Sequence, residues 1–165
     1  MNIDRILETL NQYEVAGILI GGVNFLLRHQ PVLTYDVDVW IEDTPENLRR
    51  CEGALAELDA AWGKTEEDWG PVAGKGSGWL SCQGVFCLTT RHGALDVFRS
   101  LEGPPSWTEC RARAVAGKTS AGTPYLGLSD EDMLECQLAL PEGQRKPDRI
   151  RVLQDALQRK KTDEP

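Results

Sequence analysis

Residues 15–41 constrain the fold of this chain more than any other stretch. Val15 to Ile20 is a short, largely apolar run that reads as a buried strand, and Val23 to Arg28 reads as helix, with Gly21-Gly22 between them. A strand that turns through two glycines into a helix leaves free backbone N–H groups where an anion is favoured. Tyr35-Asp36-Val37-Asp38-Val39-Trp40-Ile41 then alternates strictly, with Val37, Val39 and Ile41 on one face and Asp36 and Asp38 on the other. Two carboxylates at i and i+2 stand roughly 6–7 Å apart along a strand, a spacing that can hold hard divalent cations through oxygen. Leu95-Asp96-Val97-Phe98 carries a third carboxylate on a later strand. If those strands are neighbours, Asp36, Asp38 and Asp96 converge. Metals clamped by such a set can orient and polarise a phosphoryl group and activate an attacking hydroxyl. Singly, a double glycine is a turn and a D-x-D pair a solvated strand face; it is their order on these elements that points to chemistry.

The remaining segments supply the frame. Asn2 or Asp4 can cap a first helix carrying Ile6, Leu7 and Leu10. Thr44-Pro45-Glu46 opens another, with Leu48, Cys51, Leu55 and Leu58 as its apolar stripe. Residues 63–78, rich in glycine and acids, read as a long surface loop. Trp79 to Thr90 and Ala94 to Arg99 are expected as strands, separated by a turn at Arg91-His92-Gly93. Ser106 or Thr108 can cap a short helix through Val115, and Lys118 to Leu128 is expected to form one or two weak strands. Ser129-Asp130-Glu131-Asp132 starts a further helix, and the last runs from about Pro147 to Arg159. The pattern predicts one α/β domain over residues 1–165, a small mixed, twisted sheet flanked by helices with a C-terminal helical segment.

Composition excludes several classes. A net charge of −8 argues against a general nucleic-acid coat, so an RNA partner has no support from overall charge. The charge is uneven, however: 10 of the 18 Lys and Arg fall after residue 110, so the C-terminal part can oppose a phosphate. Five cysteines without a CxxC pair, and two histidines, His29 and His92, make no metal-ligand cluster of their own. The longest apolar run, Val15 to Val23, is too short to cross a bilayer and contains three glycines. The N-terminus has no basic region followed by an apolar stretch, so a cytoplasmic protein without a membrane partner is expected. Gly70 to Gly76 fails as a P-loop, because three residues rather than four separate its glycines and Gly76 stands where Ser or Thr would hold the cation. Trp62, Trp69, Trp79 and Trp107 are expected to cover a small core rather than stack on bases.

Ile18-Leu19-Ile20-Gly21-Gly22 and Thr34-Tyr35-Asp36-Val37-Asp38-Val39 together resemble the signature of the nucleotidyltransferase superfamily, in particular its AbiEii-like and minimal nucleotidyltransferase branch. Gly93 to Phe98 is similar to the strand bearing that family's third acid. Tyr125 to Leu134 is similar to its strand-into-helix segment, and Arg145-Lys146-Pro147-Asp148 to its late basic and acidic pair. The resemblance implies transfer of a nucleotide monophosphate from a nucleoside triphosphate, with Mg²⁺ or Mn²⁺, to an acceptor that is a small molecule, an RNA end or a protein hydroxyl. It implies that Gly21, Gly22 and Thr34 lie against the triphosphate and that Asp36, Asp38 and Asp96 bind metal, Asp96 alternatively taking the acceptor's proton. A toxin of a toxin–antitoxin pair, with an antitoxin protein as partner, is one version of this activity.

The chain departs from the family pattern at Val32 and Gln137, where cations are usual, and at Arg151, where an aspartate is usual. Arg28 and Lys75, with Lys118 and Lys146, are the cations available to replace them at a phosphate. A catalytically degenerate nucleotide-binding or protein-interaction module with the same fold is the alternative.

Overall fold

The computed structural model describes residues 1–163. Helix α1 (Ile3–Gln12) leads into β1 (Gly17–Ile20), α2 (Gly21–Arg28), β2 (Asp36–Ile41) and α3 (Pro45–Glu57). The short β3 (Ala61–Trp62) and β4 (Gly70–Pro71) precede β5 (Val85–Thr90) and β6 (Gly93–Phe98). Helix α4 (Trp107–Arg113), β7 (Val115–Lys118), β8 (Pro124–Gly127), α5 (Asp130–Ala139) and α6 (Pro147–Asp163) complete the order. The strands form one mixed sheet in the order β4-β3-β5-β6-β2-β1-β8-β7. β2 runs antiparallel to β1 and parallel to β6.

Local sequence explains the helix starts. Asn2 accepts from the Arg5 N–H and Thr44 from the Asn47 N–H, with Pro45 in the first turn of α3. Ser106 and Glu109 form a reciprocal capping box at α4, and Ser129 accepts from the Asp132 N–H at α5.

Alternation along β2 and β6 separates two apolar layers. Val37, Val39, Ile41, Leu95 and Val97 face a core closed by α1 and α3, with Leu7, Leu48 and Leu55 among its buried members. Trp40 faces the other layer, with Ile18 and Ile20, against Cys110 of α4, Met133 of α5 and Leu153 of α6. Asp36 and Asp38 lie on this second face by the same period of two.

Two stretches differ from the expected elements. Trp79 to Thr90 does not form one strand: Trp79–Cys82 is a 3₁₀ turn, and the strand begins at Val85. The Glu52 carboxylate accepts from the Gly78 and Leu80 N–H groups at 3.0 and 3.1 Å, and Gly78 takes a φ of 87°. A side chain from another helix therefore satisfies amides that a strand would have paired. Within the expected loop 63–78, β4 pairs with β3 and Val72 is buried. Trp62 and Trp79 pack with Phe86 in an aromatic cluster, as expected of core-covering rings.

Asp130, buried at the start of α5, ties three helices together. Arg28 of α2 lies 2.7 Å from its carboxylate, His29 2.9 Å and Lys160 of α6 3.1 Å. Burial pushes this carboxyl up, but Lys160, Arg28 and His29 outweigh it and hold it below the ordinary 3.8. Its contribution is therefore present above that value and is lost as pH falls through the folded-state pKa. Removing one member of a buried pair leaves the other charge uncompensated, so Asp130→Ala is expected to cost about 3–5 kcal/mol in urea unfolding. A cost under about 1 kcal/mol, the range of an exposed pair, would contradict this role.

Candidate active site

The parallel pairing of β2 with β6 puts Asp38 directly opposite Asp96, and Asp38 also lies opposite Ile20, the last residue of β1. Asp36, Asp38 and Asp96 thus converge, each offering a carboxylate oxygen within 4.8 Å of the others. They gather beside the turn from β1 into α2.

Electrostatics at the cluster follow from crowding. Burial, with Asp36 and Asp96 beside it, holds the Asp38 carboxyl up at about 7, although the Gly22 N–H and Arg149 pull the other way. Burial and Asp36 raise Asp96 as well, against the donation of the Cys87 thiol to its Oδ2 at 3.5 Å. Burial, then Asp96, pushes that thiol up to about 11. Three half-buried carboxylates with this much unmet negative charge are an all-oxygen donor set suited to a hard divalent cation.

The two glycines are needed for different reasons. Gly21 has a φ of 64°, in the left-handed region, and a Cβ there would also overlap the Asp38 carboxylate. Gly22 has an ordinary φ, but a Cβ would overlap the Thr34 side chain and lie 3.3 Å from Arg149 Nη2. Thr34 in turn donates toward the Asp36 carbonyl and carboxylate, each at 3.3 Å. Gly21→Ala combines backbone strain of about 1–2 kcal/mol with displacement of Asp38, and is expected to lose stability. Gly22→Ala carries no such strain and should unfold closer to wild type. Equal stability of the two variants in denaturant would contradict the distinction.

Arg28 and Lys75, the cations expected to stand in at a phosphate, are engaged elsewhere. Arg28 is held by Asp130 and by the Leu128 carbonyl. Lys75 sits 5.1 Å over the Trp62 ring, with the Asp68 carbonyl 3.4 Å away. Trp62 belongs to the core layer on the opposite face of the sheet, so Lys75 stabilises its own loop. Lys118 lies on β7, the edge strand beyond β8.

Among the described residues, a cation that the sequence reading missed, Arg149, stands beside the site. Its guanidinium lies 5.6 Å over the Phe25 ring, close to Gly22, and within electrostatic reach of Asp38. A signal was present: Arg149 and the buried Leu153 are four apart and so share the sheet-facing side of α6. Arg149, Gly21 and Asp38 line a pocket of about 160 Å³, with Phe98, Met133 and Gln137 among its other walls. Gln137, one of the departures from the family pattern, accepts from the Lys146 N–H at 3.0 Å.

The mixed sheet and its flanking helices have the fold of solved nucleotidyltransferases. The structure is similar to that of ANT(2'')-Ia in complex with adenylyl-2''-tobramycin, with a TM-score of 0.58 at 14% identity, over 96% of this chain and 89% of that one. It is similar to the lincomycin-bound lincosamide antibiotic adenylyltransferase LnuA to the same degree, 0.58 at 14% identity, over 90% and 92% of the two chains. No protein-family model matches the sequence, and no curated protein matches it.

Proposed function

We propose that this chain transfers a nucleotide monophosphate from a nucleoside triphosphate to a hydroxyl of an acceptor. The observation that carries this reading is the convergence of Asp36, Asp38 and Asp96 beside the Gly21-Gly22 turn. The two structural neighbours support it, since one holds adenylyl-2''-tobramycin and the other is an adenylyltransferase; ATP is accordingly the first triphosphate to test.

Asp36, Asp38 and Asp96 would hold Mg²⁺ or Mn²⁺, which supplies charge neutralisation and polarisation of the phosphoryl oxygens when bound. The chain's own groups account for the rest. The acceptor oxygen forms a bond to the α-phosphorus as the bond to the bridging oxygen breaks, and pyrophosphate leaves. Asp96, where it does not hold metal, takes the hydroxyl proton. Arg149 offers a fixed positive charge to the departing phosphates, the role that the missing family cations would otherwise fill. Thr34 orients Asp36. The pocket beside Asp38 matches in volume a cavity able to take a single ring.

If the acceptor is a host RNA or protein, the activity is that of a toxin and an antitoxin is its partner. The test is pyrophosphate release from each triphosphate with Mg²⁺ or Mn²⁺, against small hydroxylated molecules, total RNA and total protein. Release that requires all three aspartates is expected. Tight nucleotide binding with no release under any acceptor would favour the non-catalytic module.

A further inference from the structure

Away from the carboxylates, two surfaces of the chain are incomplete, and each has what the other lacks. The first is the tip of the β3–β4 hairpin. Gly63 lies so close to the Trp69 backbone that a Cβ there would overlap it. The Thr65 N–H and hydroxyl donate to the Asp68 carboxylate at 2.6 and 3.1 Å. The turn so fixed presents Glu66, Glu67 and Asp68 to solvent, and no salt bridge among the described residues engages them. Trp69, expected over the core, is instead 47% exposed, whereas the other four tryptophans are buried or half-buried.

The second surface is an open groove of about 630 Å³ between the end of α2 and one side of α6. Arg151, Asp155 and Arg159 are four apart and share a stripe of α6, with Val152 and Ala156 half-buried alongside. Arg28, also in the groove, is tied to Asp130. Arg151 has only an exposed 3.4 Å contact to Asp148, and Arg159 has no carboxylate partner among the described residues. The groove therefore offers an apolar strip between exposed guanidinium groups. It has no wall in common with the pocket beside Asp38.

We propose that the hairpin tip of one copy of this chain docks in the α2–α6 groove of a second copy. Glu66 and Glu67 meet Arg151 and Arg159, and the Trp69 ring lies on Val152 and Ala156. Tip and groove are opposite in charge, and an exposed tryptophan facing arginines is the pairing from which interfaces draw most of their energy. At physiological ionic strength the Debye length is about 8 Å. The net charge of −8 on each copy is thus largely screened, while ion pairs in contact are not. Two copies related by a two-fold axis make the contact twice; without that axis it repeats head to tail. Either arrangement leaves the carboxylates open, and neither depends on what is transferred there.

Sedimentation velocity over a range of protein concentration, at about 0.1 M and about 1 M NaCl, tests this. Wild type is expected to move from monomer to dimer or larger as concentration rises at the lower salt, and to return to monomer at the higher. Arg151→Glu/Arg159→Glu and Glu66→Arg/Glu67→Arg, all at exposed positions, should each remain monomeric, because each carries a tip and a groove of one sign. An equimolar mixture of the two variants should associate, since every tip then meets a groove of opposite sign. Trp69→Ala should weaken the association about tenfold or more. Wild type that stays monomeric at the lower salt overturns the proposal. So does association that survives either charge reversal, a mixture that fails to associate, or undiminished association of Trp69→Ala. A monomer that instead retains heparin, and loses it in Arg151→Glu/Arg159→Glu, overturns it in favour of a polyanion.

Discussion

Asp38→Asn is expected to abolish nucleotide transfer and at the same time to stabilise the metal-free protein at neutral pH. The carboxyl stands at 3.8 in an ordinary setting and at about 7 in the folded chain, through burial and the charges of Asp36 and Asp96. Below pH 3.8 it is protonated in both states. Between about 4 and 7 the unfolded chain ionises while the folded chain retains its proton, so stability falls as pH rises through this window. The loss is of order 2–4 kcal/mol, and above about 7 it levels off. An asparagine cannot ionise and can still accept from the Gly22 N–H, so the variant should lose this pH dependence. Chemical denaturation of both proteins at pH 5 and pH 8, with a chelator present, checks it. A variant no more stable than wild type at pH 8 would mean that the three carboxylates are not in conflict.

Arg149→Gln is expected to lower kcat/KM by about 10²–10³-fold, the effect of removing one group that meets developing charge. Arg149 stacks on the Phe25 face near Gly22 and makes no salt bridge among the described residues, so the fold should survive the change with little loss of stability. Arg149→Lys should recover part of the rate, because an ammonium keeps the charge without the planar fork. A variant with wild-type kcat/KM would return the phosphate role to another cation.

Much of this architecture was legible in the residues themselves. The Thr44-Pro45 and Ser129 starts declare helices because side-chain oxygens and a fixed proline φ act within one turn. The alternation of residues 35–41 shows which face Asp36 and Asp38 share, since the period of a strand is two. What was not legible depends on distant contacts. That β2 pairs in parallel with β6, bringing Asp38 opposite Asp96, is decided by packing across the sheet. The 3₁₀ turn at Trp79–Cys82 depends on Glu52, a residue of α3. Arg28 looked free for a phosphate because Asp130, which binds it, lies about a hundred residues away. Arg149 was overlooked because a cation beside Pro147 and Asp148 resembles a solvated helix start, and only its spacing from Leu153 showed it faced inward.

The central claim, that Asp36, Asp38 and Asp96 form one divalent-cation site for a nucleotide, is tested most directly by Mn²⁺ binding. Electron paramagnetic resonance would count bound Mn²⁺ in wild type and in Asp38→Asn, each with and without a non-hydrolysable ATP analogue. The account predicts that wild type binds Mn²⁺, that the analogue tightens the binding by linkage, and that Asp38→Asn loses both effects. Mn²⁺ bound equally by the two proteins, with no response to the analogue, would contradict it.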